Sequence, residues 1–329
     1  MKKVRLLNIL INNSSQRELL EQIKEGVVFT PNVDHLIKLQ SDQEFLRVYS
    51  IADYKLCDSQ ILLYASRFLG NPIKEKVSGS DFFPAFYNYH KNNQAIKIFL
   101  LGADKGVAKR AQDNINNKVK RNIVVGSYSP IFGFENTEKE CKRIIEMVNE
   151  SKATVLAIGV GAPKQEKWIY KHKHKMPNIK VFFAVGATID FEAGNVKRAP
   201  KWMSSIGIEW LHRLLSEPKR LWKRYLIEDL PFFWLILKQK LNLYEPANIP
   251  KALFSVENTF IEAKSFKDIK ASQNNQSQEF ISKIQSSGLL KRYDLNNRSW
   301  LKPTSSIKLS GINSQSSKAS QHRKARPKR

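Results

Sequence analysis

Short apolar runs recur along the middle of the chain, and four of them end at a glycine. They lie at residues 96–101 before Gly102, 123–125 before Gly126, 154–158 before Gly159 and 181–185 before Gly186. Runs of this length, bounded by a turn residue, predict buried strands. The charged stretches 107–119 and 138–149 have apolar positions at helical spacing and predict surface helices. This alternation favours an α/β fold, with a Rossmann-like and largely parallel sheet flanked by helices.

The first 13 residues combine two lysines and an arginine with a short apolar run that Asn8 interrupts. A secretory signal has a longer apolar core and a cleavage site of small residues. We therefore interpret this segment as the first strand of the α/β domain.

The composition changes near residue 197. Between residues 197 and 250, four tryptophans are interleaved with lysines and arginines: Trp202, Trp210, Trp222 and Trp234. We predict an α/β catalytic domain at 1–196, a basic helical appendage at 197–250, and a disordered basic tail at 251–329, which is rich in Ser, Gln, Asn and Lys. The strongly apolar stretch 230–237 is far shorter than the roughly 20 residues that cross a bilayer.

The charge is strongly positive, with 55 Lys and Arg against 30 Asp and Glu and a net charge of +25. The tail contributes 16 basic and 5 acidic residues, so the remainder is basic in its own right. Such a balance indicates an anionic partner, which is nucleic acid, acidic lipid or a phosphate-bearing substrate. Cys57 and Cys141 form neither a zinc pattern nor a disulfide framework, as is typical of a reducing compartment.

A strand runs into a glycine-rich turn and a helix start at residues 159–168, which read Gly-Val-Gly-Ala-Pro-Lys-Gln-Glu-Lys-Trp. Exposed N–H groups at a helix start can bind phosphate. The third glycine of the dinucleotide fingerprint is missing, so NAD is not indicated. A phosphate site and a plain tight turn are equally compatible with this segment.

Four aspartates lie beside apolar runs and small or turn residues, as expected for loops at the ends of strands: Asp34, Asp58, Asp81 and Asp190. A lone loop aspartate is more often a helix cap than a catalytic base, and Asp81 fits the cap best. Asp58 lies between two apolar segments, 51–57 and 61–64, a setting that raises a carboxyl pKa. It is our candidate general base.

We predict no metal site, because the Asp-x-Asp pair of many sugar-nucleotide enzymes is absent. We also expect no cofactor. His172 and His174 alternate with lysines and are interpreted as part of a solvated basic face. Arginines would then have to neutralise a leaving phosphate. Arg213, Arg220 and Arg224 share one side of a helical run if Pro218 only begins a second helix, and they suit a diphosphate clamp or a lipid-facing stripe equally well.

Eight blocks along the chain, taken in order, resemble the motif series of the WecG/TagA/CpsF glycosyltransferases over about residues 4 to 245. The blocks are Thr30-Pro-Asn-Val-Asp34, Asp58, Val77-Ser-Gly-Ser-Asp81, Phe99-Leu-Leu-Gly102, Gly159-Val-Gly-Ala-Pro-Lys-Gln-Glu166, Arg198-Ala-Pro-Lys-Trp202, Glu209-Trp210 and Glu217-Pro-Lys-Arg220. The strength of the resemblance lies in the order and spacing of the blocks.

The resemblance implies a metal-independent, inverting transfer of an N-acetylmannosamine-type sugar. The donor would be a UDP sugar, and the acceptor an N-acetylglucosamine on polyprenyl diphosphate, at the cytoplasmic face of a bacterial membrane or in an organelle stroma. It implies that Asp58 is the base, that Thr30 and Asn32 share its pocket, and that Gln165 contacts the sugar or the nucleotide. Four cations of the appendage would cover the site and stabilise the departing UDP: Arg213, Arg220, Lys223 and Arg224.

Two positions depart from the family pattern: Ser59 stands where glycine is common, and Lys76 where arginine is common. Lys76 keeps the charge for a phosphate contact but lacks the bidentate fork of arginine. If the chain is instead a peripheral membrane relative that has lost activity, which is one alternative, these two substitutions are the first candidates for the cause. The other alternative is a basic nucleic-acid-binding protein. Under the enzyme interpretation, no nucleic-acid partner is expected. Contact of the appendage with an anionic membrane is predicted, and whether the chain forms a homo-oligomer stays open.

Overall fold

The computed structural model of the chain describes residues 2–196, 198–246, 293–294 and 299–300. Met1–Lys251 form one compact unit and Ala252–Arg329 a second. Within the second unit, Tyr293–Asp294 and Ser299–Trp300 pair as short antiparallel strands. The rest of the predicted tail lies outside the described residues, and the division of the first unit at residue 197 stays a prediction.

The chain begins with two strands, β1 (Lys3–Leu6) and β2 (Ile9–Asn12), which pair antiparallel. The segment predicted as a single first strand is therefore a hairpin of two strands. The chain reverses between them, where Leu7 adopts a left-handed φ of 52°. The buried Asn8 side chain donates a hydrogen bond to the carbonyl of Leu39 (2.8 Å) and stabilises this turn. An apolar run cannot reveal such a reversal when no glycine or proline marks it.

A six-stranded sheet forms the centre of the first unit, and all its neighbouring strands are parallel. Its strands are β3 (Gly26–Phe29), β4 (Tyr54–Lys55), β5 (Ile98–Gly102), β6 (Val124–Tyr128), β7 (Val155–Gly159) and β8 (Val181–Ala184), in the spatial order β4-β3-β8-β7-β5-β6. The predicted α/β class and the parallel sheet are confirmed.

Thirteen α-helices are found among the described residues of the first unit. They are α1 (Gln16–Gln22), α2 (Val33–Ser41), α3 (Gln43–Tyr49), α4 (Gln60–Phe68), α5 (Gly79–Tyr89), α6 (Val107–Val119), α7 (Glu138–Glu150), α8 (Lys164–His172), α9 (Thr188–Glu192), α10 (Lys201–Ile206), α11 (Glu209–Ser216), α12 (Pro218–Lys223) and α13 (Pro231–Lys240). The helices predicted at 107–119 and 138–149 correspond to α6 and α7. A π-helical turn, Arg224–Glu228, follows α12.

The sheet separates two hydrophobic clusters because alternate strand residues point to opposite faces. On β7, Leu156 packs into one cluster, whereas Val155 and Ala157 pack into the other. Helices cover both faces, which explains why these strands read as continuous apolar runs.

Two local interpretations need correction. His172 is buried, and its ring packs 5.0 Å from that of Trp168, whereas His174 is exposed and belongs to the basic face with Lys171 and Lys175. Burial is also the main reason why the His172 pKa falls to about 4. The cap of α5 is Ser78 rather than Asp81: the Ser78 hydroxyl accepts a hydrogen bond from the Asp81 N–H and donates one to its carboxylate.

The predicted appendage is helical from α10 to α13, and Pro218 begins α12 directly behind Ser216 and Glu217. In the described part of the chain, no helix has both the length and the apolar character required to span a bilayer. Large apolar side chains are nevertheless exposed along these helices. They include Trp202, Ile206, Leu215, Trp222, Leu226, Ile227, Leu230, Phe233, Trp234 and Leu237.

Candidate functional site

The candidate residues Thr30, Asn32, Asp58 and Gln165 follow the carboxyl ends of β3, β4 and β7. In a parallel sheet these ends share one edge, where ligands of α/β proteins usually bind. Backbone hydrogen bonds join the loops: the Asp58 N–H donates to the Pro31 carbonyl (3.1 Å). The fold therefore gathers residues from distant parts of the sequence at one end of the sheet.

Asp58 is held between β4 and α4. The flanking Cys57 carbonyl accepts a hydrogen bond from the Val77 N–H (2.8 Å), which holds the Lys76 segment beside this loop. Ser59 caps α4, and its hydroxyl accepts a hydrogen bond from the Ile61 N–H (3.2 Å). Ser59, one of the two departures from the family pattern, thus stabilises the helix that follows the candidate base.

The electrostatic surroundings of Asp58 are mixed. Burial raises the pKa of its carboxyl to about 8, and the negative charges of Glu209 and Asp81 act in the same direction. The cations Arg213 and Lys76 oppose this shift. Raised basicity is what a carboxylate needs if it is to accept a proton from a hydroxyl near neutral pH.

Lys76 and Glu209 bring the appendage to this site. The Lys76 Nζ lies 3.8 Å from the Glu209 Oε2, and both side chains are partly buried. Glu209 begins α11, which also carries Arg213. The first turns of α11 therefore lie over the loop that holds Asp58.

Thr30 and Asn32 shape the neighbouring loop. The Thr30 hydroxyl donates to the Ala184 carbonyl at the end of β8 (3.5 Å). Gly79 lies beside Thr30, and an added Cβ would be in van der Waals contact with its Oγ1 (3.4 Å). The Asn32 side chain caps α2 by accepting a hydrogen bond from the His35 N–H. This cap leaves the Asn32 side-chain N–H groups for other partners.

Gln165 joins the loops after β7 and β8. Its Oε1 accepts a hydrogen bond from the Gly186 N–H (3.2 Å), and its Nε2 donates to the Glu166 Oε1 (2.7 Å). Glu166 is fully buried, and burial raises its pKa to about 7 despite the Gln165 hydrogen bond. These two contacts fix the orientation of the buried Gln165 amide.

Three glycines bring adjacent strand ends into close backbone contact. A Cβ on Gly102 would overlap the carbonyl of Gly159, and a Cβ on Gly159 would overlap the carbonyl of Gly186. Open space lies where Cβ atoms of Gly161 and Gly186 would be, and both residues have positive φ. The strand ends thus form a surface lined by backbone atoms. Because no Cβ projects from Gly161 or Gly186, a phosphate or a sugar can approach this backbone closely.

The predicted cations of the appendage have different surroundings. Arg213 lies on α11 near Asp58, and Arg220 lies on α12. The exposed Lys223 Nζ is 3.5 Å from the Glu228 carboxylate. Arg224 is turned towards two carboxylates of the protein itself, those of Asp34 and Asp229.

Two residues to which the sequence analysis assigned no role, Glu209 and Arg198, also form contacts at the candidate site. Glu209 and Arg198 both lie in family blocks, which was the available signal. The Arg198 guanidinium donates to the Asp81 carboxylate and to the Ser80 hydroxyl (3.1 Å). Partial burial opposes ionisation of Asp81, but the Ser78 and Arg198 hydrogen bonds hold its pKa below the ordinary value.

Within residues 2–196 and 198–246, no group of three or more His, Cys, Asp and Glu side chains is arranged to hold a metal ion. The independence of a metal stays a prediction. Nothing in the described residues tests the cofactor or the oligomeric state.

Comparison with known proteins supports the motif series. A sequence model of the glycosyl transferase WecG/TagA/CpsF family matches residues 4–246. An N-acetylglucosaminyldiphosphoundecaprenol N-acetyl-beta-D-mannosaminyltransferase of Bacillus subtilis (strain 168) is 28% identical over 228 residues, which are 69% of this chain and 85% of the relative. The protein of the same name from Staphylococcus aureus (strain MRSA252) is 27% identical over 241 residues, covering 70% of this chain and 90% of the relative.

Proposed function

The chain belongs to the WecG/TagA/CpsF family of glycosyltransferases, and we propose that it transfers an N-acetylmannosamine-type sugar from UDP to N-acetylglucosamine linked to polyprenyl diphosphate, with inversion at the anomeric carbon. The acceptor class is the one in the names of both relatives. The observation that carries the proposal is the position of Asp58, a carboxyl of raised pKa at the strand ends with Lys76 and Arg213 nearby.

In the proposed reaction, the Asp58 carboxylate accepts the proton of the acceptor hydroxyl. That oxygen bonds to the anomeric carbon from the face opposite UDP, while the bond from this carbon to the diphosphate oxygen breaks. The electron pair of the broken bond leaves with UDP. Fixed cations stabilise this departing charge most strongly where water is excluded, a role we assign to Lys76, Arg213, Arg220 and Lys223.

The other pocket residues would orient the substrates. Thr30 and Asn32 adjoin Asp58 across the Pro31 hydrogen bond and are proposed to contact the sugars. Gln165 is proposed to contact the donor beside the open space at Gly161 and Gly186. Correct alignment of two sugars can lower the barrier substantially without any new chemistry.

The reaction can be tested with the full chain, UDP-N-acetylmannosamine and a short-chain lipid-diphosphate N-acetylglucosamine, in the presence of EDTA. We expect UDP release that depends on the acceptor, and a product whose anomeric configuration, read by NMR, is opposite to that of the donor. The same assay with UDP-N-acetylglucosamine is the control for the donor sugar.

Release of UDP that stops with EDTA and returns with a divalent ion would contradict metal independence. Retention of the anomeric configuration would contradict the inverting mechanism. Absence of release with either donor, together with salt-sensitive binding of nucleic acid, would favour the nucleic-acid alternative.

We further propose that the appendage holds the enzyme against an anionic membrane. Phe233 and Trp234 of α13 are 57% and 59% exposed, while Phe232 and Ile236 on the same helix are buried. Lys238 lies 5.5 Å from the centre of the Trp234 ring. Aromatic side chains beside a lysine suit an interface of lipid headgroups and acyl chains.

Replacement of both exposed aromatics, Phe233→Ser with Trp234→Ser, should therefore weaken binding to vesicles. Each large apolar side chain contributes about 1.5–3 kcal/mol on burial, so we expect a loss of at least about tenfold in partitioning. Sedimentation with vesicles of phosphatidylglycerol and phosphatidylcholine would measure it. Tyr89→Ser, at a comparably exposed ring on α5, is the control. Equal loss in both variants would argue against a specific membrane face.

A further inference from the structure

An ion cluster of two buried carboxylates and two partly exposed cations joins the appendage to α2. The Arg224 guanidinium lies 3.4 Å from the Asp34 Oδ2, and its Nε lies 3.9 Å from the Asp229 Oδ2. Lys38 completes the cluster, because its Nζ donates to the same Asp34 oxygen (2.7 Å). The side chains of Asp34 and Asp229 are only 5% and 12% exposed. Removing one partner of a buried pair leaves an uncompensated charge, so such contacts define a geometry strongly.

The π-helical turn places Arg224 and Asp229 side by side. The Asp229 N–H donates to the Arg224 carbonyl five residues earlier (2.8 Å). In an α-helix, residues five apart point in different directions, whereas the wider π turn brings them to the same side. The irregular turn is thus explained by the cluster that it completes.

Beyond this turn, the appendage is fastened to the rest of the unit by other contacts. Phe232 and Ile236 are buried in the hydrophobic cluster that also contains β2 and α2 residues. The Gln239 side chain accepts a hydrogen bond from the Leu7 N–H (2.8 Å), and the Tyr244 hydroxyl donates to Gln40 (2.6 Å). Helix α13 therefore has an attachment that does not depend on Arg224.

Before the turn, few of the described side chains are buried. Among the side chains described from residue 198 to 223, only Leu221 is buried. This same segment contains Glu209, Arg213 and Lys223. Arg224 therefore lies between residues 198–223, which cover Asp58 and have few buried side chains, and α13, which is packed into the hydrophobic cluster.

On the catalytic side, the cluster ends close to the candidate site. Asp34 belongs to the first turn of α2, two residues after the capping Asn32 and four after Thr30. A contact that holds Asp34 therefore fixes the loop after β3 and the appendage together.

We propose that Arg224 is a positioning residue: through Asp34 and Asp229 it holds α11 and α12 over Asp58, rather than contacting the diphosphate itself. The inference rests on the proposed function and adds to it a residue that acts through its neighbours. Direct contact with the leaving group is then made by Arg213, Arg220 and Lys223, whereas Arg224 acts only by holding the helices in position.

The test is a double-mutant cycle with Arg224→Met, Asp34→Asn and their combination, carried out at pH 8, above the value of about 6 to which burial raises the pKa of Asp229. Arg224→Lys, Asp229→Asn and Lys223→Met complete the set. Two quantities are measured: kcat/KM for transfer, and hydrogen exchange of residues 198–223 and 231–244 without substrate. Exchange requires no activity, so it reports on positioning even if the proposed reaction is wrong.

We expect Arg224→Met and Asp34→Asn each to lower kcat/KM by about 10- to 100-fold, and the combination to be no worse than the more impaired single variant. Both should speed exchange in 198–223 and leave 231–244 unchanged, with a smaller effect for Arg224→Lys and Asp229→Asn. Lys223→Met should lower kcat/KM without faster exchange.

The positioning role is refuted if Arg224→Met lowers kcat/KM while exchange stays as in the wild type, or if the losses of the two single variants multiply in the combination. If Arg224→Met does not fold, the comparison of Arg224→Lys and Asp229→Asn with Lys223→Met decides by the same criteria. Faster exchange in a chain that transfers no sugar, wild type included, would reject the proposed function and leave the docking contact in place.

Discussion

Asp58→Asn should abolish most of the transfer activity, with a fall in kcat/KM of about 100- to 10,000-fold. The amide has the size of the carboxyl but cannot accept the proton of the acceptor hydroxyl. Because burial and the Glu209 charge raise the Asp58 pKa to about 8, the wild-type kcat/KM should increase with pH through that value. The residual activity of Asp58→Asn should lack this step. A pH–rate profile of both proteins measures the two effects.

Stability provides the control for this variant. The pKa of Asp58 is raised in the folded state from 3.8 to about 8, so its ionisation destabilises the fold as pH rises through this range. Asp58→Asn should therefore be as stable as the wild type below pH 3.8 and more stable above pH 8, as measured by urea denaturation. An inactive variant that is also less stable at pH 8 would indicate damage to the fold. An active variant with an unchanged pH profile would exclude Asp58 as the base.

The parts of the fold that could be predicted from the sequence were those with a long, regular pattern. Helix α6 has apolar residues at helical spacing over 13 residues, and it was found with the predicted bounds. Strands β3 and β4 were missed because they have only four and two residues and no glycine follows them. The hairpin of β1 and β2 was missed because Leu7, a residue that does not usually mark a turn, adopts a left-handed conformation.

The candidate site shows the same division. Asp58 could be identified because apolar segments flank it in the sequence, and the same burial raises its pKa. The contact between Lys76 and Glu209 spans more than a hundred residues, as does the pairing of Arg224 with Asp34. Spacing along a helix placed Arg213, Arg220 and Arg224 on one side, but it could not distinguish a cation that faces the site from one that faces a carboxylate of the protein. That distinction depends on which loops the sheet brings together.

Gly159→Ala should be the most destabilising of the substitutions considered, because the new methyl group meets backbone rather than a movable side chain. An added Cβ would overlap the carbonyl oxygen of Gly186 and approach the Ile189 Cδ1 to 3.0 Å. Gly159 has an ordinary φ, so the effect is steric and separates β7 from β8. We expect a loss of about 3 kcal/mol or more in the free energy of unfolding, and weaker UDP binding, since Gln165 bridges the same two loops.

Gly133→Ala is the matched control, because it differs from Gly159→Ala in the physical origin of its cost. Gly133 has a φ of +81° and no atom within 4 Å of a Cβ, so alanine there meets only the left-handed conformation, at about 1–2 kcal/mol. Urea denaturation followed by tryptophan fluorescence gives both values, and calorimetry with UDP gives the affinities. If Gly133→Ala is the more destabilising of the two, backbone conformation rather than close strand contact limits this edge of the sheet. If Gly159→Ala unfolds like the wild type, the loops after β7 and β8 can separate freely, and a surface formed by their backbone could not hold the donor in a fixed position.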